Sequence, residues 1–179
     1  MSEARTPFDA LLEYERRSLA HVAGLPEQLE APGLWRGIGF RLGDAYLVSA
    51  IGEINEILML PPISPVPGTK AWLLGIANVR GNLLSIVHLR GFLEGEPYKA
   101  GETTRVLSVK QTGGLVGLVV DEILGQKSFL EENRRDRQTY LDSPISRFIL
   151  HEYQQGQVCW GEFSMGSLLK VPEFLQAAA

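Results

Sequence analysis

From residue 35 onward, apolar positions come in short alternating or continuous runs separated by glycine, proline and polar turns, a strand-and-turn rhythm rather than a helical one. Ile38-Gly39-Phe40-Arg41-Leu42 and Ala45-Tyr46-Leu47-Val48 flank Gly43-Asp44, a hairpin signal. A strand is expected from Glu53 to Met59, followed by a connection holding Pro61, Pro62, Pro65 and Pro67, which cannot sit inside a sheet. Thr104 to Lys110 and Leu115 to Ile123 form a further hairpin about Thr112-Gly113-Gly114. Phe148 to Tyr153 and Val158 to Phe163 form the last, about Gln154-Gln155-Gly156-Gln157. Strands this short, at this spacing, predict barrels or a sandwich rather than an α/β sheet.

The N-terminal segment reads differently. Thr6-Pro7-Phe8-Asp9 supplies a capping hydroxyl, a proline at the first helical position and an acid in the first turn. Phe8, Leu11, Leu12, Leu19, Val22 and Ala23 recur at helical spacing, and Gly24 and Pro26 end the helix. Its apolar stripe needs a surface to pack on, either this protein's body or a partner. Residues 26–33 read as a linker.

Gly75-Ile-Ala-Asn78-Val-Arg80-Gly81-Asn82 sets an arginine beside a tight turn, with Leu83 to Leu89 as the returning strand. Gly81-Asn82 is the expected two-residue turn, since both residues tolerate positive φ. Asn78 and Arg80, two apart on one strand, are expected on the same face. The rigid five-donor fork of arginine suits carboxylates or backbone carbonyls, within the fold or across an interface.

The sequence also echoes itself. Glu56-Ile57-Leu58 returns as Glu122-Ile123-Leu124. Gly81-Asn82-Leu83 returns as Gly156-Gln157-Val158, and Gly91-Phe92-Leu93 as Gly166-Ser167-Leu168, both offset by 75 positions.

Composition narrows the function classes. With 45% hydrophobic and 21% charged residues, the chain of 179 is ordinary for a globular protein and long enough to bury a sizeable core. No run of about 18 apolar residues occurs, so a membrane span is not expected, and no basic segment followed by an apolar core marks a secretory signal. The lone Cys159 cannot form an internal disulfide and suits a reducing, cytoplasmic setting. At net charge −4 with scattered basic residues, nucleic-acid binding is not expected. Arg134-Arg135-Asp136-Arg137 reads as a solvated loop.

No catalytic or metal constellation emerges. His21, His88 and His151 lack metal-ligand spacing. Cys159 and His151 would share one hairpin but lack an orienting third residue. Gly37-Ile38-Gly39 opens no helix after a strand, and Gly113, Gly114 and Gly117 form a turn rather than a phosphate loop. Asp121 and Glu122, adjacent on a strand, face opposite ways; one is expected to bond within the barrel interface and the other to face water. No cofactor or metal is expected. Trp35, Trp72 and Trp160, with Arg80, are residue types enriched at interface centres, though for each tryptophan alone a core position is the better reading.

Three ordered motifs carry a family resemblance. The G-x-x-N-x-R-G run from Gly75 with its following strand to Leu89, the Ile54-Asn55-Glu56-Ile57-Leu58 strand, and Val116-Gly117-Leu118-Val119-Val120-Asp121-Glu122-Ile123 resemble the signature of CheW-like chemotaxis coupling proteins. The resemblance implies a mainly β fold of two five-stranded SH3-like barrels sharing an interface, with an N-terminal helix and short connecting helices. It implies residues 1–35 as helix and linker, 36–175 as the CheW-like domain, and 176–179 as a disordered tail. It also implies an adaptor that binds a methyl-accepting chemoreceptor's signalling tip and the CheW-like regulatory domain of a CheA-type histidine kinase, in the cytoplasm at membrane receptor arrays. The partner-binding residues carried over are Ile54, Glu56, Asn78, Arg80, Gly81, Leu84 and Val87. T-P-F-x-x-L-L from Thr6, Ala23 to Pro26, and W-x-G-I-G-F from Trp35 resemble family members of the system controlling type IV pilus twitching motility; a flagellar or other chemosensory system is the alternative. Lys70 and Ser85 stand where the family pattern has proline, and His88 where it has aspartate.

Overall fold

Eleven strands alternate with short helices over residues 33–177, the part of the chain that the computed structural model describes. The helix expected over residues 6–24 and all of the linker but Gly33 lie outside those residues. The strands are β1 (Leu34–Leu42), β2 (Ala45–Ala50), β3 (Glu56–Met59), β4 (Leu73–Val79), β5 (Asn82–His88), β6 (Arg105–Gln111), β7 (Gly114–Val120), β8 (Glu122–Leu130), β9 (Arg134–Arg135), β10 (Ile149–Gln155) and β11 (Val158–Phe163). Three helices, α1 (Leu89–Glu94), α2 (Met165–Leu168) and α3 (Pro172–Leu175), and 3-10 turns at Ile51–Glu53, Glu131–Asn133 and Pro144–Phe148 complete the set. None of these helices is long and apolar enough to cross a membrane.

The strands form two sheets, ordered β3-β6-β7-β5-β4 and β8-β1-β2-β11-β10-β9. Each holds one parallel pair, β5 with β7 and β2 with β11, among antiparallel neighbours. Position for position, β3, β6, β7, β5 and β4 correspond to β8, β1, β2, β11 and β10. The chain reaches this arrangement by exchange: β3 leaves β1 and β2 to join the other sheet, and β8 crosses back. The sequence echoes follow from it. β4, β5 and α1 recur as β10, β11 and α2, whereas the exchanged strands β3 and β8 recur at a different offset.

Each sheet closes on itself in the same way. Beyond β3, Ser64 pairs with Ile76 of the opposite edge through N–H···O bonds of 2.8 and 2.9 Å. Beyond β8, the two-residue β9 pairs with β10 at Arg134↔Tyr153 and Arg135↔Glu152. The result is two five-stranded barrels, the second with β9 as a closing sixth strand. Gly75 makes the first closure possible: its φ is +144°, and a Cβ there would lie 2.2 Å from the Ser64 carbonyl oxygen.

Three apolar clusters hold the fold. Ala77, Leu84, Ile86, Val106 and Val119 fill the first barrel, and Val48, Phe129, Tyr153 and Trp160 fill the second. The largest lies between them, with Phe40, Leu42 and Leu47 of the second barrel meeting Val87, Leu107, Leu118 and Val120 of the first. Adjacent residues serve different clusters, Ile86 the first barrel and Val87 the interface. Strands buried on both faces therefore read as unbroken apolar runs.

Several local expectations change. The Leu115–Ile123 run is not one strand: it breaks at Asp121, where the chain changes barrels, and β8 continues through polar Gln126, Lys127 and Ser128 to Leu130. The Glu53–Met59 strand starts only at Glu56, after a 3-10 turn. Arg134-Arg135 is exposed as expected but forms the closing strand rather than a loop, and Arg137 donates to the carbonyls of Ser146 and Ile149. At the other end, Lys70 N donates to the Ala177 carbonyl, so the chain is held past the expected domain end.

Candidate partner-binding surface

The β4–β5 hairpin turns one residue earlier than the sequence suggests. Val79 pairs with Asn82, leaving Arg80 and Gly81 as the two turn residues, with φ of 51° and 84°. Positive φ at both positions makes the turn type I′, whose twist suits the flanking strands. Arg80 therefore sits in the turn rather than on the strand face with Asn78. The Asn78 side chain instead locks the turn, its Oδ1 accepting a hydrogen bond from Gly81 N at 2.9 Å. The motif thus has a physical account, with Gly75 admitting the closing bridge, Asn78 tying the turn, and Gly81 supplying left-handed backbone.

From that turn Arg80 reaches the start of β3, where its guanidinium meets the Glu56 carboxylate at 2.7 Å. The pair spans the two edges of the first sheet. The Arg80 side chain is 76% exposed and that of Glu56 32%, so water screens the pair and its contribution to folding is at most about 1 kcal/mol.

Around this pair the outer wall is apolar. Leu83, opposite Asn78, is 69% exposed, and Met59 on β3 is 77% exposed. Ile57 and Ile76 are also exposed. Sequence reasoning left these four out. The available signal was the alternation in β3 and β4, in which Leu58 and Ala77 point into the barrel and their neighbours point out. Four exposed large apolar side chains flanked by an open ion pair form a surface of the kind that mediates protein association.

Other expected site residues fall elsewhere. Leu84 and Val87 are buried, at 1% and 2% exposure, in the first-barrel and inter-barrel cores. This corrects the expectation of contact: their side chains position β5 and offer no surface to a partner. Ile54 packs half-buried against the inter-barrel core. Glu56, Asn78, Arg80 and Gly81 remain together at the rim.

The tryptophans take the core reading. Trp72 stacks on Phe174, Trp35 stacks on Tyr153, and Trp160 is 4% exposed. His151 does not face Cys159; its ring nitrogen lies against Arg134. The Cys159 thiol donates to Glu152 at 3.3 Å and accepts from Thr139 Oγ1 at 3.1 Å, and burial raises its pKa. That arrangement favours an inert thiol. Glu152 is itself buried and holds the chain at Gln138, Thr139 and Tyr140 through their backbone N–H groups. Asp121 accepts from Gly43 N of the other barrel at 2.6 Å, while Glu122 lies at the surface with its side chain 36% exposed, accepting from Arg41 Nε at 3.1 Å. No group of three potential metal ligands occurs among the described residues.

The family described as CheW-like domain matches residues 36–178. The chain belongs to this family. It is 38% identical over 178 residues to the protein PilI of Pseudomonas aeruginosa, with 99% of both chains covered. It is 30% identical over 129 residues to the chemotaxis protein CheW of Helicobacter pylori, covering 72% of this chain and 73% of that one. The crystal structure of the scaffolding protein TtCheW from Thermoanaerobacter tengcongensis superposes with a TM-score of 0.67 over 77% of this chain and 94% of its own, at 17% identity. That likeness extends to the fold and agrees with the double-barrel architecture.

Proposed function

We propose that this chain is a non-enzymatic adaptor that couples a methyl-accepting chemoreceptor to a CheA-type histidine kinase in a chemosensory pathway controlling type IV pilus twitching motility. The observation that carries the reading is the first-barrel rim, where Glu56 and Arg80 stand beside exposed Ile57, Met59, Ile76 and Leu83. A site for chemistry would gather titratable groups in a cleft. This one gathers apolar area and an unburied charge pair, which suits docking to another folded domain. The end-to-end similarity to PilI supports the twitching pathway, because it extends through the N-terminal segment as well as the barrels. The adaptor acts in the cytoplasm, recruited to membrane receptor arrays by these contacts.

Reconstitution tests the reading. The purified chain, mixed with the kinase's regulatory domain and a receptor signalling-tip fragment from the same organism, is expected to bind each and to form a ternary complex by analytical ultracentrifugation. Loss of the gene is expected to abolish twitching zones while leaving flagellar swimming intact. Failure to bind either partner overturns the adaptor reading. A swimming defect without a twitching defect favours the flagellar alternative.

A further inference from the structure

The parallel pair that joins the two hairpins of each barrel differs in length between the barrels. In the first barrel β5 and β7 pair at five positions, from Leu84↔Leu115 to His88↔Val119. In the second, β11 and β2 pair at two, Gly161↔Leu47 and Glu162↔Val48. The turns fix which positions correspond. The β4–β5 and β10–β11 turns close at Val79↔Asn82 and Gln155↔Val158, and the β6–β7 and β1–β2 turns at Gln111↔Gly114 and Leu42↔Ala45. Counted from these, Gly161↔Leu47 matches Ser85↔Val116. Leu84↔Leu115 then has its counterpart in Trp160 and Tyr46, which do not pair. Ala45 closes its turn with Leu42 and spends its backbone groups on β1, so Tyr46 aims its own at β11. The missing pair would therefore bring Tyr46 N–H to the Cys159 carbonyl.

Tyr140 occupies that gap. Its hydroxyl lies 3.0 Å from the carbonyl oxygens of both Tyr46 and Cys159 and shares its one hydrogen between them. Burial pushes the phenol up to about 12, so it stays a donor. The ring rests on Gly161, where a Cβ would lie 2.9 Å from Tyr140 Cε2, so a larger residue there would displace it. Residues 138–143, which carry the ring, are a largely exposed connection held by a buried carboxylate. Glu152, 3% exposed, accepts from Thr139 Oγ1 at 2.8 Å and from Gln138 N, Thr139 N and Tyr140 N at 2.9 to 3.3 Å. Tyr140 also lines a cavity of about 280 Å³ with Ala45 of β2 and with Arg90 and Glu94 on α1 of the first barrel.

We propose that residues 138–143 are a strap and Tyr140 its wedge, holding the second barrel's parallel seam one pair short of the first barrel's. With the strap seated, the phenol hydroxyl takes the place of Tyr46 N–H at the Cys159 carbonyl. With the strap withdrawn, that carbonyl accepts from Tyr46 N–H and the seam closes. The Cys159 carbonyl has a donor in either state, which is what a two-state element requires. Closure draws β11 toward β2 at Trp160, whose ring meets that of Tyr46 edge to face with centroids 5.6 Å apart. Because the wedge also walls the cavity beside α1, its position couples the second barrel's wall to the junction with the first.

Through-hydrogen-bond NMR couplings in the isotopically labelled full-length chain test the wedge. In the wild type no coupling is expected between Tyr46 N and the Cys159 carbonyl carbon. The first-barrel counterpart, Leu115 N to the Leu83 carbonyl carbon, is the positive control. Tyr140→Phe removes only the hydroxyl, and Tyr140→Ala also empties the place of the ring. In both, the Tyr46–Cys159 coupling is expected to appear, with exchange of the Tyr46 amide slowed about tenfold or more. A coupling already present in the wild type overturns the proposal. Its absence from either variant that keeps the control coupling overturns it equally. Should Tyr140→Ala fail to fold, Tyr140→Phe alone decides.

Discussion

Replacing Arg80 by glutamate separates a folding role from a binding role. The substitution removes one N–H···O contact of 2.7 Å and sets a second carboxylate beside Glu56. With the Arg80 side chain 76% exposed, the lost attraction and the new repulsion are both screened. The backbone cost hardly changes, because glutamate and arginine meet the same penalty at a φ of 51°. A loss of about 1 kcal/mol in stability is the upper expectation, a fall in Tm of roughly 3 °C for a domain of this size. At an interface the same reversal removes an arginine fork and introduces like-charge contact, worth about 2 kcal/mol or more. Affinity for the kinase regulatory domain or the receptor tip is therefore expected to fall at least about 30-fold. Calorimetric unfolding and isothermal titration on one preparation measure both. The double variant Glu56→Arg with Arg80→Glu restores the pair within the chain, so it should recover the small loss of Tm but not the affinity. A fall of more than about 10 °C in Tm with wild-type affinity in the folded fraction would refute the reasoning and make Arg80 an internal tie.

Met59→Glu should leave Tm within a few degrees, because the side chain is 77% exposed, yet reduce partner binding about tenfold or more in the same titration. Gly75→Ala should cost about 3 kcal/mol or more, measured by urea unfolding, because the Cβ collides with the Ser64 carbonyl at a backbone angle other residues avoid. Wild-type stability should decline as pH falls through about 6.5 and level off below the His88 pKa, since the unfolded state binds the proton more tightly in that window. Thermal melts of His88→Asn beside wild type isolate that share of the pH dependence. Deletion of residues 1–32 should leave a cooperative transition by circular dichroism, because residues after Gly33 by themselves supply three apolar clusters; a broad, non-cooperative melt would show that the segment belongs to the core.

How much was legible in the sequence depended on whether the cause was local. The Gly43-Asp44 turn and the alternation of most strands follow from backbone preference and the two-residue period, so the sequence displayed them. Arg80 shows the limit: whether arginine or asparagine takes the left-handed turn position is decided by strand register, and register is settled by pairing with the whole sheet. Leu84 and Val87 show another. In a strand buried on both faces no residue is marked as surface by its type, so only the packed barrels assign Leu84 to one core and Val87 to the next. The polar half of β8 was invisible because its partner, β1, lies some ninety residues earlier and supplies the pairing that its own side chains do not announce. The apolar rim at Met59 and Leu83 likewise joins residues from separate strands. Sequence alone determined the Gly43-Asp44 turn, the strand rhythm and the family motifs, because those rest on local sterics. Strand exchange, barrel closure and the exposed apolar rim were left to the tertiary structure, because each depends on contacts between segments far apart in the chain.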